Sequence, residues 1–235
     1  MPFVPPSSCV MWLKANAGAL DSLGFPCTNG ASVATWEDQS GNGSNAAQSD
    51  GGSQPTFAAT AINSRPSVHA NGDSQFMNAT IPSATQQDVF VVARWTRADS
   101  YFPSYSGLLT IGFPLIVGNV GSANLYAGGD MGGTHFVDGV ATNAWGNFAD
   151  AHIVEWLESS ASIYNEVKLF TDRTYGGRFW IGDISEVLAF SAPLDEVDHA
   201  AVQTYLYNKY FTTTPPVVAA RLIHRNRSIG TGLGV

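Results

Sequence analysis

Two pairs of carboxylates stand three residues apart within the strand-like stretches of this chain, Glu155 with Glu158 and Asp183 with Glu186. Paired carboxyl groups can cleave glycosidic bonds; a retaining enzyme holds them about 5 Å apart, an inverting one roughly 6.5–9.5 Å. Both pairs fall in apolar runs of strand character, residues 152–158 and 177–191. A regular strand sends residues i and i+3 to opposite faces, so the spacing argues against joint acid–base work. The five histidines form no HExxH and no His-x-His pair, and neither a Gly-x-Ser-x-Gly elbow nor a phosphate-binding loop is present. No catalytic residues and no enzymatic activity are expected.

Metal binding has one weak pointer. Asp38, Ser40 and Asn42 alternate as calcium ligands do, and Asp130, Asp138 and Asp150 sit in glycine-rich loops, yet no loop closes on a bidentate Glu. Residues 38–43 read first as an Asx-type turn, with Asp38 bonding the amide two residues on and glycines supplying positive φ. No cofactor is expected, calcium being the single candidate. Sugar binding needs aromatic platforms and polar partners. Tyr101, Phe102, Tyr105 and Trp145 fall in loops, and with Asp150 they are the candidate glycan-binding residues, although Trp and Phe in a β-protein are mainly core.

These residues must be carried by strands. Residues 9–15, 33–36, 65–70, 75–77, 88–95, 152–158, 165–170 and 177–191 have strand composition, and Asn71-Gly72-Asp73 reads as a hairpin turn between two of them. Asp88 to Trp95 is apolar on both faces, as a central strand covered on both sides would be. Residues 99–150 are cut by prolines and glycines into short pieces: 108–113, 115–118, 124–127 and 134–137, the last before an Asp138-Gly139 turn. One helix follows the last strand. Asp195 is its N-cap with Asp198 three positions on, and Val197, Ala201, Val202, Tyr205, Leu206 and Tyr210 form its apolar stripe. About a dozen strands with no βαβ rhythm predict an antiparallel sandwich.

Composition agrees. The 235 residues are 44% hydrophobic and only 13% charged, with 24 glycines, the balance of a single all-β domain with many tight turns. Residues 1–211 hold eight of the eleven basic residues and all nineteen acidic ones, a balance of −11, while the remainder carries +3. An acidic body disfavours nucleic acid as a partner. No apolar run is long enough to span a bilayer and no signal peptide is read at the amino terminus, so neither a membrane nor secretion is expected. Cys9 and Cys27 could pair, but reduced thiols are the expectation for a cytoplasmic chain.

Several stretches together resemble the concanavalin A-like lectin/glucanase superfamily, in its laminin-G-like branch of bacterial and phage proteins. They are residues 11–15, Trp36 to Gly43, Gln54-Pro55-Thr56-Phe57, Arg65-Pro66-Ser67-Val68, and Gly182 to Leu188 with the helix ending at Tyr210. The resemblance implies a jelly-roll sandwich over residues 1–211, whose concave face and loops bind sugars in relatives, and structural roles for Asp183, as a turn carboxylate bonding backbone amides, and Glu186, as an edge or inward polar group. The family's hydrolases carry Glu-x-Asp-x-x-Glu on one strand face; this chain does not. Residues 212–235 form a linker and an arm, where Thr212-Thr213-Thr214-Pro215-Pro216 ends the helix and Val217 to Ile223 is apolar. Arg221, Leu222, Ile223, Arg225 and Arg227 are its candidate partner-docking residues. A binding fold with a docking arm and no signal suits a non-enzymatic virion protein, such as a capsid decoration protein, head fibre or tail component. Such a protein is made in a host cytoplasm and contacts other virion proteins and further copies of itself. The alternative is a lectin-like module for a host-surface glycan.

Overall fold

The computed structural model describes residues 2–84, 88–111, 113–126, 133–158, 164–173 and 176–211. The arm residues Arg221, Leu222, Ile223, Arg225 and Arg227, and Asp130, lie outside them. In chain order the strands are β1 (Cys9–Lys14), β2 (Ala19–Leu20), β3 (Thr35–Trp36), β4 (Ala46–Ala47), β5 (Thr56–Ile62), β6 (Arg65–Asn71), β7 (Met77–Ala84) and β8 (Asp88–Trp95). There follow β9 (Ser106–Ile111), β10 (Phe113–Gly118), β11 (Gly133–Val137), β12 (Val140–Ala141), β13 (Ala151–Glu158), β14 (Tyr164–Leu169), β15 (Ile181–Phe190) and the helix α1 (Glu196–Tyr210). They build an antiparallel sandwich of two sheets. The larger runs β12-β11-β13-β8-β15-β6-β5 with β1 also on β15, and the smaller runs β10-β9-β14-β7-β4-β3-β2.

Strand β8 shows how the layers are fixed. Val89, Val91 and Ala93 face the core between the sheets, while Phe90 and Val92 face a second core under α1. Alternation with period two supplies both sets, and both are apolar because both faces are covered. Strand β15 lies beside β8 along its whole length and divides its other edge, with β6 pairing at Ile181–Ile184 and β1 at Glu186–Phe190. At the change of partner the register against β8 slips between Ile184 and Glu186, a β-bulge. The extra residue inverts the faces beyond it. Ile184 and Val187, three apart, therefore both face the inter-sheet core. Asp183 and Glu186, also three apart, both face outward, contrary to the regular-strand expectation.

The helix begins as its sequence predicts, with the Asp195 carboxylate accepting from the Asp198 amide at 2.8 Å. Its buried face differs from the expected stripe. Val197 and Ala201 are exposed, and the covered residues are His199, Val202, Gln203, Leu206, Tyr207 and Tyr210. Two polar side chains belong to this face because a carboxylate waits beneath them: His199 Nε2 lies 2.8 Å from Glu155 Oε2, and Gln203 Nε2 donates to the same oxygen at 3.5 Å. Glu186, fully buried, is met still more completely. It accepts from Trp12 Nε1 at 2.5 Å, Lys209 Nζ at 2.6 Å, and the Tyr205 and Tyr210 hydroxyls at 2.8 Å each. It therefore ties the first strand, the last strand and the helix together.

Two turns depart from expectation. Residues 65–70 and 75–77 do not form a hairpin, since β6 and β7 belong to opposite sheets. Gln75 pins the crossing by accepting from the Asn71 amide at 2.9 Å and donating to the Gln54 carbonyl at 2.8 Å. Gly72 at φ +83° packs so tightly that a Cβ would lie 2.0 Å from Ile181. A hairpin does join β5 to β6, through Asn63 and Ser64 at φ 47° and 62°, the left-handed pair that a two-residue turn requires.

Replacing Glu186 by Ala strands Lys209 and two hydroxyls beside an apolar core. Unfolding free energy should fall by roughly 3–5 kcal/mol, as for a broken buried ion pair. Urea denaturation measures it; a loss below about 1 kcal/mol, the range of an exposed pair, would contradict the tie described above.

Candidate ligand-binding cleft

Asp183 sits opposite Arg94 in the β15–β8 register, inside an otherwise apolar strand. Burial of a carboxylate demands donors, and the fold supplies three. Arg94 reaches Oδ2 through Nη2 at 2.7 Å and Nε at 3.1 Å, while His69 Nδ1 and Ser67 Oγ each lie 3.0 Å from Oδ1. The residue is a mid-strand ion-pair centre and not the turn carboxylate expected from sequence. Burial alone would raise its pKa, but the hydrogen bonds and charges of His69 and Arg94 prevail and hold it below the ordinary carboxylate value. Gly182 permits the approach, since a Cβ there would lie 2.0 Å from the Arg94 carbonyl oxygen.

Beyond Trp95 the chain leaves the sheet and turns, with the Asp99 amide donating to the Arg97 carbonyl at 2.9 Å. The Asp99 carboxylate accepts from the Trp95 indole at 3.2 Å and pairs with Arg97 Nε at 3.1 Å. Facing this turn is the loop before β13, where Asn147 closes on itself: its Oδ1 accepts from the Ala149 amide at 3.2 Å and its Nδ2 donates to Asp150 at 3.0 Å. Between residues 94–100 and 146–149 lies a cleft of about 740 Å³. Trp95 and Phe148 are its floor, resting on Phe102, Trp145 and Trp180 with ring centroids 4.9–6.3 Å apart. Its walls are polar: Arg94, Thr96, Arg97, Asp99, Ser100 and Asn147.

The expected sugar-binding residues divide. Phe102 and Trp145 are fully buried in that aromatic floor, so neither offers a ring face to a ligand; their loops are short covers over the core. Tyr105 stands edge-on to Tyr126 at 5.4 Å and carries the Arg178 guanidinium 4.8 Å above its ring. Tyr101 remains half exposed, next in chain to the cleft residue Ser100. Asp150 opens onto a neighbouring pocket of about 520 Å³ with Asp138, His152 and Tyr207. There His152 bonds Asp138 Oδ2 at 2.7 Å and the Asn147 carbonyl at 3.1 Å, which occupies both ring nitrogens. Burial disfavours its charge, but Asp138, the carbonyl and Asp150 overcome this and raise its pKa. Sequence reasoning missed Arg94, Arg97, His69 and the cleft itself.

The Asp38 turn is occupied as an Asx motif. Its two oxygens accept from the amides of Trp12, Ser40, Asn42 and Ser44 and from the Ser40 hydroxyl, at 2.7–3.2 Å. Among the described residues no group of three or more His, Cys, Asp or Glu gathers as metal ligands, and no helix is long and apolar enough to cross a membrane. Cys9 and Cys27 are both free thiols; burial, aided by Asp38, pushes Cys9 up to about 12. Glu155 of the candidate acid pair is turned to His199 under the helix; the Glu158 side chain lies outside the description.

The two shifted groups act at opposite ends of the pH scale. Asp183 is lowered in the fold, so its contribution is complete above the unfolded carboxylate value near about 4 and is lost as pH falls through its folded value. His152 is raised, so its contribution is complete below about 6.5 and is lost as pH rises through its folded value. Urea midpoints should fall less steeply with acid in Asp183→Asn than in wild type, and less steeply as pH rises above about 6.5 in His152→Gln. Wild-type slopes in either variant would refute the corresponding assignment.

Compared with known proteins, the chain matches no protein-family model, no curated protein and no solved structure.

Proposed function

We propose that this protein is a non-enzymatic binding module, a concanavalin A-like jelly roll that holds a glycan in the cleft between residues 94–100 and 146–149. The observation that carries the reading is the cleft's construction: guanidinium and hydroxyl groups wall a concave site braced from below by buried aromatic rings, with the half-exposed ring of Tyr101 beside it. Sugars are bound by such combinations of planar polar groups and aromatic surface. The interior carboxylates support a binding role over hydrolysis, because Asp183 and Glu186 are saturated by donors that anchor the fold.

A second reading places this module on a particle. It rests on the separation of a −11 body from a +3 arm with an apolar core at 217–223, a combination that favours docking onto a neighbouring subunit. A virion accessory protein that displays a lectin-like domain outward would need both parts.

Each reading has its own test. Ser100→Trp, which fills the cleft from an exposed position, should abolish glycan-array binding without changing thermal unfolding, and Tyr101→Ala should weaken it roughly two- to tenfold. No glycan bound with or without calcium would defeat the lectin reading. Deleting residues 212–235 should abolish incorporation into particles while leaving the sandwich folded by circular dichroism; normal incorporation would defeat the docking arm.

A further inference from the structure

We infer that the cleft selects a glycan bearing a carboxylate on an isolated or terminal sugar, such as a uronic or sialic acid, gripped by the outward edges of Arg94 and Arg97. The inference rests on the cleft reading above and names its ligand class.

The two arginines are held by their inner edges. Arg94 spends Nε and Nη2 on Asp183, and Arg97 spends Nε on Asp99. Arg94 Nη1 and both Nη groups of Arg97 have no hydrogen-bond partner among the described residues. The side chains are 32% and 52% exposed, whereas their carboxylate partners are 2% and 14% exposed. In each pair the donor is more exposed than its acceptor, while Asp99, whose Oδ1 has no described donor, also lines the cleft.

The rest of the wall has the same bias. Asn147 has both ends of its amide engaged within its own loop, and the Trp95 indole N–H is taken by Asp99. What remains toward a ligand is guanidinium N–H of Arg94 and Arg97, both on the 94–100 wall, with the hydroxyls of exposed Thr96 and Ser100 and the second carboxylate oxygen of Asp99. Three guanidinium nitrogens without a described partner stand against one free carboxylate oxygen in the lining, so charged donors predominate. A carboxylate only accepts, and its two oxygens fit a guanidinium edge, with ring hydroxyls left for Thr96 and Ser100.

Net charge narrows the class further. A body carrying −11 repels a long polyanion at a distance. A single acidic sugar on an otherwise neutral glycan avoids that repulsion while satisfying the local donors. A densely sulfated or fully uronate chain does not.

The full-length protein should be applied to an array that prints glycans with terminal sialic or glucuronic acid beside their carboxyl-reduced twins. Binding is expected to the acidic forms and to be lost on reduction. Arg97→Ala, at a half-exposed position, should unfold at the wild-type temperature yet bind the acidic glycans roughly ten- to hundredfold more weakly, the range of a charge-assisted hydrogen bond. Equal binding of the reduced twins overturns the carboxylate inference while leaving the cleft as a glycan site. Unchanged binding by Arg97→Ala overturns it by moving the ligand elsewhere. No binding of either form by the wild type overturns both the inference and the reading beneath it.

Discussion

A carboxylate inside an apolar layer must be met by donors, and the placement of α1 follows from that requirement at Glu186 and Glu155. The helix brings Tyr205, Lys209 and Tyr210 to one and His199 and Gln203 to the other. Hydrophobic packing holds the helix to the sheet, but apolar contact is non-directional and would accept several rotations. The hydrogen bonds select one of them, at the cost of leaving Val197 in solvent. Breaking such a bond leaves a buried group unpaired, which is why the selection is strong.

The bulge in β15 extends this logic to the other end of the strand. Without it Asp183 and Glu186 would face opposite layers, and one of them would enter the core between the sheets. With it both lie on the outer side, one under the helix and one against Arg94. Arg94 then stands next to last in the central strand β8, its orientation set by a buried partner. A side chain held in this way is suited to recognition, because little of its freedom is left to lose on binding.

Much of the fold was legible from local composition. β8, β13 and β15 read as strands through dense Val, Ile, Phe and Trp, and Asp195 read as a cap through residue type alone. What escaped reading depends on partners far away in sequence. Ser67 and Asp183 are 116 residues apart and Glu155 and His199 are 44 apart, so neither spacing carries a local signal. The helix face was misjudged because periodicity counts apolar residues, and here polar ones were buried. The Asn63-Ser64 hairpin lacked the glycine that announces such turns. Phe102 and Trp145 looked like loop residues and are loop residues, yet their loops lie flat over an aromatic core. The clue that was available was chemical: an acidic residue within an apolar strand implies a buried donor, and Arg94 ends the strand beside it.

The shared edge of β15 also dictates when the molecule can form. β1 has no other strand partner among the described residues, and Trp12 meets Glu186 across 174 residues of chain. An amino-terminal strand whose strand partner is the last strand of the chain stays unpaired until that strand has been synthesised. Until then Val10, Met11 and Leu13 have no core to enter, and β8 lacks its longest neighbour. Folding is consequently a late, non-local event. A nascent chain cut short before Phe190 presents open apolar strand edges to its surroundings, the form in which sheet proteins aggregate.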